Sequence, residues 1–147
     1  MHAKIEQIGI APGEGQPLEL RPEVELVAGV GIAGDRYAVG DGTWSDPKYA
    51  DKQLTFVEAE VAERVGFPAE AFRRNVVTRG IVLEELIGKT FRIGDTRIRG
   101  VRPCDPCAYL EGLLRPGLVR DMVGKGGLRA EILVGGAIHV GDTITVE

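Results

Sequence analysis

The sequence is poor in the residues that build metal centres and disulfide frameworks. Its 147 residues include two cysteines, Cys104 and Cys107, and two histidines, His2 and His139. A structural zinc site takes about four ligands, so here it would have to recruit both histidines or nearby carboxylates. No apolar stretch approaches the roughly 20 residues of a transmembrane helix. The opening Met1-His2-Ala3-Lys4-Ile5-Glu6 lacks the apolar run of a signal peptide. The expectation is a cytoplasmic protein with no membrane partner, where a disulfide between the two cysteines is not the default. Positive charge is not in excess either: 18 Lys and Arg stand against 22 Asp and Glu, a net charge of −4. That balance argues against a general nucleic-acid or membrane-surface binder. No Gly-x-Gly-x-x-Gly follows a strand and no Walker-type Gly-Lys-Ser/Thr occurs. Gly124-Lys125-Gly126-Gly127 is glycine-rich but lacks that context.

What the chain has is glycine, 21 residues of it, falling between short apolar runs. That is the pattern of short strands joined by tight turns. With 44% hydrophobic and 27% charged residues, residues 1–147 suit one domain with a real core. Strands are expected at Lys4–Ile10, Val24–Val27, Gln53–Val57 and Val76–Thr78. A short helix is expected from Glu58 to Val65, with one apolar face and a stop at Gly66. Thr90–Ile93 and Thr96–Val101 read as a hairpin around Gly94-Asp95. The C-terminal end repeats that theme, with Ile138–Val140 and Thr143–Val146 flanking Gly141-Asp142. Ala28 to Asp51 is a long glycine-rich stretch, read equally as a functional loop or a series of turns. The expected fold is mainly β, a closed or partly closed barrel of short strands with two or three peripheral helices. Closure would remove exposed sheet edges.

The candidate chemistry lies in Arg102-Pro103-Cys104-Asp105-Pro106-Cys107. Asp105 suits a helix N-cap and Pro106 the first helical position. The helix would run through Cys107 to Leu114 and end before Pro116-Gly117. Cys107 would then lie in the first turn, where outward N–H groups and the dipole favour a thiolate. Arg102 acts in the same direction, and Asp105 opposes it. The alternative, two cysteines packed as small hydrophobes, stands level with this reading. A thioredoxin-type redox pair is disfavoured, since no βαβ pattern surrounds it.

A second segment, Arg73-Arg74-Asn75, precedes a strand, and Arg79-Gly80 follows it. Adjacent arginines beside an amide can hold a phosphate or carboxylate bidentately. A solvated surface run is the simpler reading. Arg36, Lys125 and Arg129 are further cations in expected loops. His139 should point away from Ile138 and Val140, as a surface histidine with no orienting partner.

Five blocks in order carry a resemblance. They are Gly-Ile-Ala-Gly-Asp-Arg (31–36), Arg-Arg-Asn-Val-Val-Thr-Arg-Gly (73–80), Leu-Ile-Gly-Lys-Thr-Phe-Arg-Ile-Gly (86–94), Arg-Pro-Cys-Asp-Pro-Cys (102–107) and Gly-Gly-Ala-Ile-His-Val-Gly-Asp (135–142). Together the blocks resemble the MOSC family, named for the C-terminal domain of molybdenum-cofactor sulfurases, and in particular its small stand-alone bacterial branch.

The resemblance implies a mostly β, barrel-like domain. It makes Cys107, after Pro106, the reactive residue: a molybdenum ligand, or the carrier of a persulfide. It points Arg74 and Asn75 at the phosphate of a molybdenum-pterin cofactor, with Arg36, Arg102 and Arg129 as further contacts. Trp44 and Tyr37 would cover the substrate. Cys104 would resolve a persulfide on Cys107 or simply pack. The implied activity is reduction of small N-hydroxylated compounds, with electrons from a separate donor protein. The alternatives are a metal-free sulfur carrier served by a cysteine desulfurase, and a non-enzymatic anion-binding domain with structural cysteines. Pyridoxal phosphate binding is implied at the family level only. The sequence departs from many relatives in having arginine at position 36, where they have histidine. A single domain is expected, without the additional N-terminal β-domain of the larger cofactor-binding relatives.

Overall fold

The structure, a computed structural model, describes residues 3–11, 18–35, 53–104, 116–117 and 127–147. Eleven strands lie in these residues: β1 (Lys4–Ile10), β2 (Glu19–Leu20), β3 (Glu23–Val27), β4 (Gly31–Ile32), β5 (Leu54–Glu58), β6 (Val76–Arg79), β7 (Thr90–Ile93), β8 (Thr96–Pro103), β9 (Leu128–Val134), β10 (Gly136–His139) and β11 (Ile144–Val146). One helix, α1 (Ala59–Val65), and two 3-10 turns at Ala69–Phe72 and Leu83–Leu86 complete the described elements.

Alternation of apolar and polar residues sets the faces of the sheet. In β8, Thr96, Ile98 and Gly100 are buried while Arg97, Arg99 and Val101 are exposed. In β9, Leu128, Ala130 and Ile132 face the core. The large sheet runs β11-β7-β8-β9-β5-β6-β1-β2, and a small one runs β10-β3-β4. The first strand also reaches back to the last. The N–H of Ile5 donates to Asp142 O at 2.9 Å, and that of Gly141 to Ile5 O at 2.8 Å. Ile144 N–H donates to Ala3 O at 2.9 Å, and Lys4 bridges Thr143. These bonds curl the sheet into a partly closed barrel, as the composition predicts.

One apolar cluster fills the interior, with Ile5, Ile8, Phe56, Phe91, Ile98 and Ile132 among its members. Val24, Leu26, Ile32 and Ile138 bring the small sheet into the same cluster. Phe56 and Phe91 meet edge to face at 5.7 Å. Outside the barrel, α1 and the turn after it pack Val61, Ala62 and Phe72 together. Beside them, Val57, Ala59 and Val77 form a small separate cluster on the outward face of β5 and β6. Gly66 ends the helix at φ 86°, the left-handed geometry that glycine adopts without a Cβ penalty.

One pairing expectation needs correction, and one strand was not foreseen. Among the described residues there is one α-helix, and two short segments wind as 3-10 turns. The helix expected after Asp105 lies outside the described residues. The C-terminal pair is not a hairpin: the Gly141-Asp142 turn forms, but β10 pairs with β3 and β11 with β7. The strand β9, which no expectation named, lies between β8 and β5 near the middle of the sheet.

At the far edge, Arg97 grips Glu147 across β7, Nε to Oε1 at 2.8 Å and Nη2 to Oε2 at 2.7 Å. The hydrogen bonds from Arg97 hold the Glu147 carboxyl below the usual glutamate range, and Arg92 adds a weaker longer-range pull. A carboxyl depressed in the folded state stabilises the fold above its unfolded pKa. That contribution disappears as pH falls through the lower folded value. The pair is solvent-exposed, so its share of stability is small. NMR titration of Glu147 should show this depressed midpoint, moving up in Arg97→Gln; an unmoved midpoint would contradict the assignment.

Candidate functional site

The register aligns the sequence-distant candidates in one row across the barrel wall. Arg102 of β8 pairs with Arg129 of β9. Arg129 in turn pairs with Thr55 of β5. Thr55 is joined to Asn75, just before β6, by three hydrogen bonds. Cross-strand partners share a face. Since Leu128, Ala130, Leu54 and Phe56 point into the core, this row points outward.

Asn75 is buried at 6% exposure and engaged inside the fold. Its Oδ1 accepts from Thr55 N at 3.2 Å and from Thr55 Oγ1 at 3.1 Å. Its Nδ2 donates to Gly9 O at 3.2 Å, and Thr55 Oγ1 accepts from Asn75 N at 3.0 Å. The backbone adds Gly9 N to Asn75 O at 2.7 Å. The residue was expected to face an anion; the structure also gives it the task of fixing β1, β6 and β5 in register.

Arg74 is half-buried and reaches toward β9. Its Nε lies 3.6 Å from where a Cβ on Gly127 would sit. That same Cβ would stand 2.0 Å from Phe56 O. Gly127 also has φ +119°, so both space and backbone demand glycine there. The preceding residue, Arg73, has φ 59°. Among the described residues it alone is a non-glycine in the left-handed region, a conformation that concentrates at functional sites.

The cysteine loop leaves from the same place. Cys104 is buried at 3%, and its N–H donates to Gly127 O at 2.8 Å. Gly127 lies two residues before Arg129 along β9, roughly 7 Å away. The structure thus gathers Arg74, Arg102, Arg129 and Cys104 around Gly127. Cys107 and Arg36 lie outside the described residues, as do Lys125, Tyr37 and Trp44. Asp35 is buried, and its Oδ1 accepts from Ala11 N at 3.0 Å, just past the Gly9 end of the row.

Other cations are engaged elsewhere. Arg79 bonds Glu6 at 2.8 Å and Glu63 at 3.0 Å, and these hydrogen bonds push its pKa further up. His139 is on the surface, as expected, but it has partners: Glu23 at 3.0 Å and Asp142 at 3.6 Å. Among the described residues no group of three or more His, Cys, Asp or Glu side chains could hold a metal. No described helix is long and apolar enough to cross a membrane.

Sequence reasoning missed Thr55 and Gly127. Thr55 gives no local signal, because its role comes from register alone. The glycine run at 124–127 was visible, but the close approach of Phe56 O was not. Asn75→Ala leaves Gly9 O and Thr55 N unpaired and should cost roughly 2–5 kcal/mol in chemical denaturation. Gly127→Ala should cost at least about 3 kcal/mol or part β9 from β5, seen as lost amide protection in both strands. Wild-type stability and protection in either variant would refute the assigned role.

A sequence model of the MOSC domain matches residues 48–145, more than half of the chain. No curated protein matches. Among solved structures, the YuaD protein of Bacillus subtilis superposes with a TM-score of 0.79 at 23% identity, over 99% of this chain and 96% of that one. YiiM from Geobacillus stearothermophilus gives 0.74 at 20% identity, over 99% of this chain and 75% of its own. YiiM from Escherichia coli gives 0.69 at 20%, over 98% and 69%. At such identities the likeness to these structures is one of fold. The sequence match and the fold agree, and the chain belongs to the MOSC domain family.

Proposed function

We propose that the chain binds a molybdenum-pterin cofactor and reduces small N-hydroxylated compounds with it. Arg102, Arg129 and Arg74 would hold the phosphate, and the Cys107 thiolate would be the metal ligand. The observation that carries the reading is the Arg102–Arg129 cross-strand pair beside Gly127, over which Arg74 Nε is placed. A phosphate placed between Arg102 and Arg129 would accept charge-assisted, bidentate hydrogen bonds from the two guanidiniums.

The residues fit the anionic half of the cofactor. Having no side chain, Gly127 lets Phe56 O and the Arg74 guanidinium come close to its backbone, which brings Arg74 to the end of β9 that carries Arg129. Thr55 supplies no spare donor here, since its hydroxyl donates to Asn75; the arginines carry the phosphate. Asn75 sets the spacing of the row. Cys107 is the soft donor suited to a thiophilic metal. The bound cofactor would supply the two-electron chemistry, and the chain would supply binding, orientation and field. Electrons would come from a separate donor protein.

The test is metal and pterin analysis of protein made in a cell competent for molybdenum-cofactor synthesis, with loading verified on a known cofactor-binding protein. Wild type should retain both molybdenum and pterin. Cys107→Ser should lose the metal, and Arg102→Ala/Arg129→Ala the pterin as well, with thermal melts unchanged within a few degrees. Wild-type protein free of molybdenum would sink the reading. A persulfide on Cys107 after incubation with a cysteine desulfurase would transfer it to sulfur carriage.

A further inference from the structure

We infer that the outward face of β7, β8 and β9 is a docking surface for the acidic face of a partner protein. The helix α1 and its following turn cover the outward side of β5 and β6 through Val57 and Val77. Next to them, the wall presents a lane of arginines. Arg92 of β7 pairs with Arg97 of β8, and Arg97 pairs with Val134 of β9. One step along, Arg99 pairs with Glu131. Beyond these come Arg102 and Arg129. From Arg97 to Arg102 the lane runs roughly 16 Å.

Five arginines therefore share this wall with three carboxylates, Asp95, Glu131 and Glu147, in a chain of net charge −4. Glu131 serves Arg99 at 3.3 Å and Glu147 serves Arg97 at 2.7 Å. Among the described residues, Arg92 and Arg129 have no ion pair. The lane is too long for one phosphate or carboxylate, so a surface carrying several negative charges matches it.

Two features favour a protein over a nucleic acid. The lane's cations are all arginine, the cation enriched in protein interfaces, where lysine is depleted. Aliphatic side chains are interleaved with them: Val101 is 37% exposed and Val134 47%. Val134 lines an open groove of about 410 Å³ with Arg92, Asp95, Arg97 and Glu147. Single-stranded nucleic acids are held by aromatic stacking platforms, and this lane has no aromatic side chain. The lane leads to the row of Arg102 and Arg129, so a docked partner would sit beside the candidate site.

The test uses the full chain and two labelled probes of equal charge: a peptide alternating Glu with Leu, and a short DNA duplex. Fluorescence anisotropy should show the peptide binding more tightly than the duplex. Binding should weaken as salt is raised, and by about tenfold or more in Arg92→Glu/Arg99→Glu. Arg92→Gln/Arg99→Gln should show a smaller loss in the same direction. The control Lys4→Glu/Arg21→Glu, which reverses two charges elsewhere, should change affinity less than about twofold. Equal loss in the control, unchanged binding in the lane variants, or tighter binding of the duplex would overturn the proposal. Cofactor retention is measured separately, so a failure of the cofactor reading leaves this result distinct.

Discussion

A single amide side chain, that of Asn75, ties together the strands on which the candidate site depends. Its oxygen takes both polar hydrogens that Thr55 offers, and its nitrogen reaches the carbonyl of Gly9. The contacts reach back 20 residues to Thr55 and 66 to Gly9. The strands β5 and β6 are parallel, so no tight turn fixes their offset; they are joined only through α1 and the turn beyond it. A one-residue slip in β6 would reverse its inward and outward side chains. Thr55 sits opposite Arg129, and Arg129 opposite Arg102. Fixing Thr55 against Asn75 therefore fixes where the arginines stand.

Much of the barrel was legible from local pattern. Alternation marked β1 and β8, and Gly94-Asp95 marked the hairpin that joins β7 to β8. The Val57–Val65 spacing and Gly66 marked α1 to within a residue. What failed was pairing. The motif Val140-Gly141-Asp142-Thr143 resembles Ile93-Gly94-Asp95-Thr96, and both make turns. After the second, however, the chain changes sheets, and β11 adds to β7 instead of folding back on β10. Local turn chemistry says that the chain reverses; it does not say which edge is open to receive it. In β9, the alternation Leu128-Arg129-Ala130-Glu131-Ile132 was present, but the glycines before it and Leu133-Val134 after it blurred the period. The register shift between Arg97 and Ile98 is the structural counterpart of that blur.

The candidate site was legible in residue type but not in arrangement. Arg74, Arg102 and Arg129 stood out as cations near glycines, yet the sequence separates them by 28 and 27 positions. Only the β8–β9–β5–β6 order makes them neighbours. Asn75 illustrates the opposite problem. Beside two arginines an amide looks like a ligand contact, whereas burial and hydrogen-bond capacity commit it largely to the fold. Gly127 carried a signal that is hard to weigh without coordinates: a glycine required for close backbone approach looks the same as a glycine in a turn.

The division of the outer wall has a physical origin. Val57 and Val77 are apolar on the outward side of β5 and β6, so α1 must cover them to keep them dry. On β7 and β8 the same outward positions are Arg92, Arg97 and Arg99, which need no cover, and β9 contributes Arg129 and Glu131. The barrel thus has one capped sector and one charged sector, and the row from Asn75 to Arg102 crosses the boundary between them. Asn75 lies on the covered side, where an amide can be fully engaged by the backbone. Arg102 lies on the open side, where the residue is exposed. A boundary of this kind offers rigid support from one sector and access from the other, and the segment beginning at Cys104 departs from it.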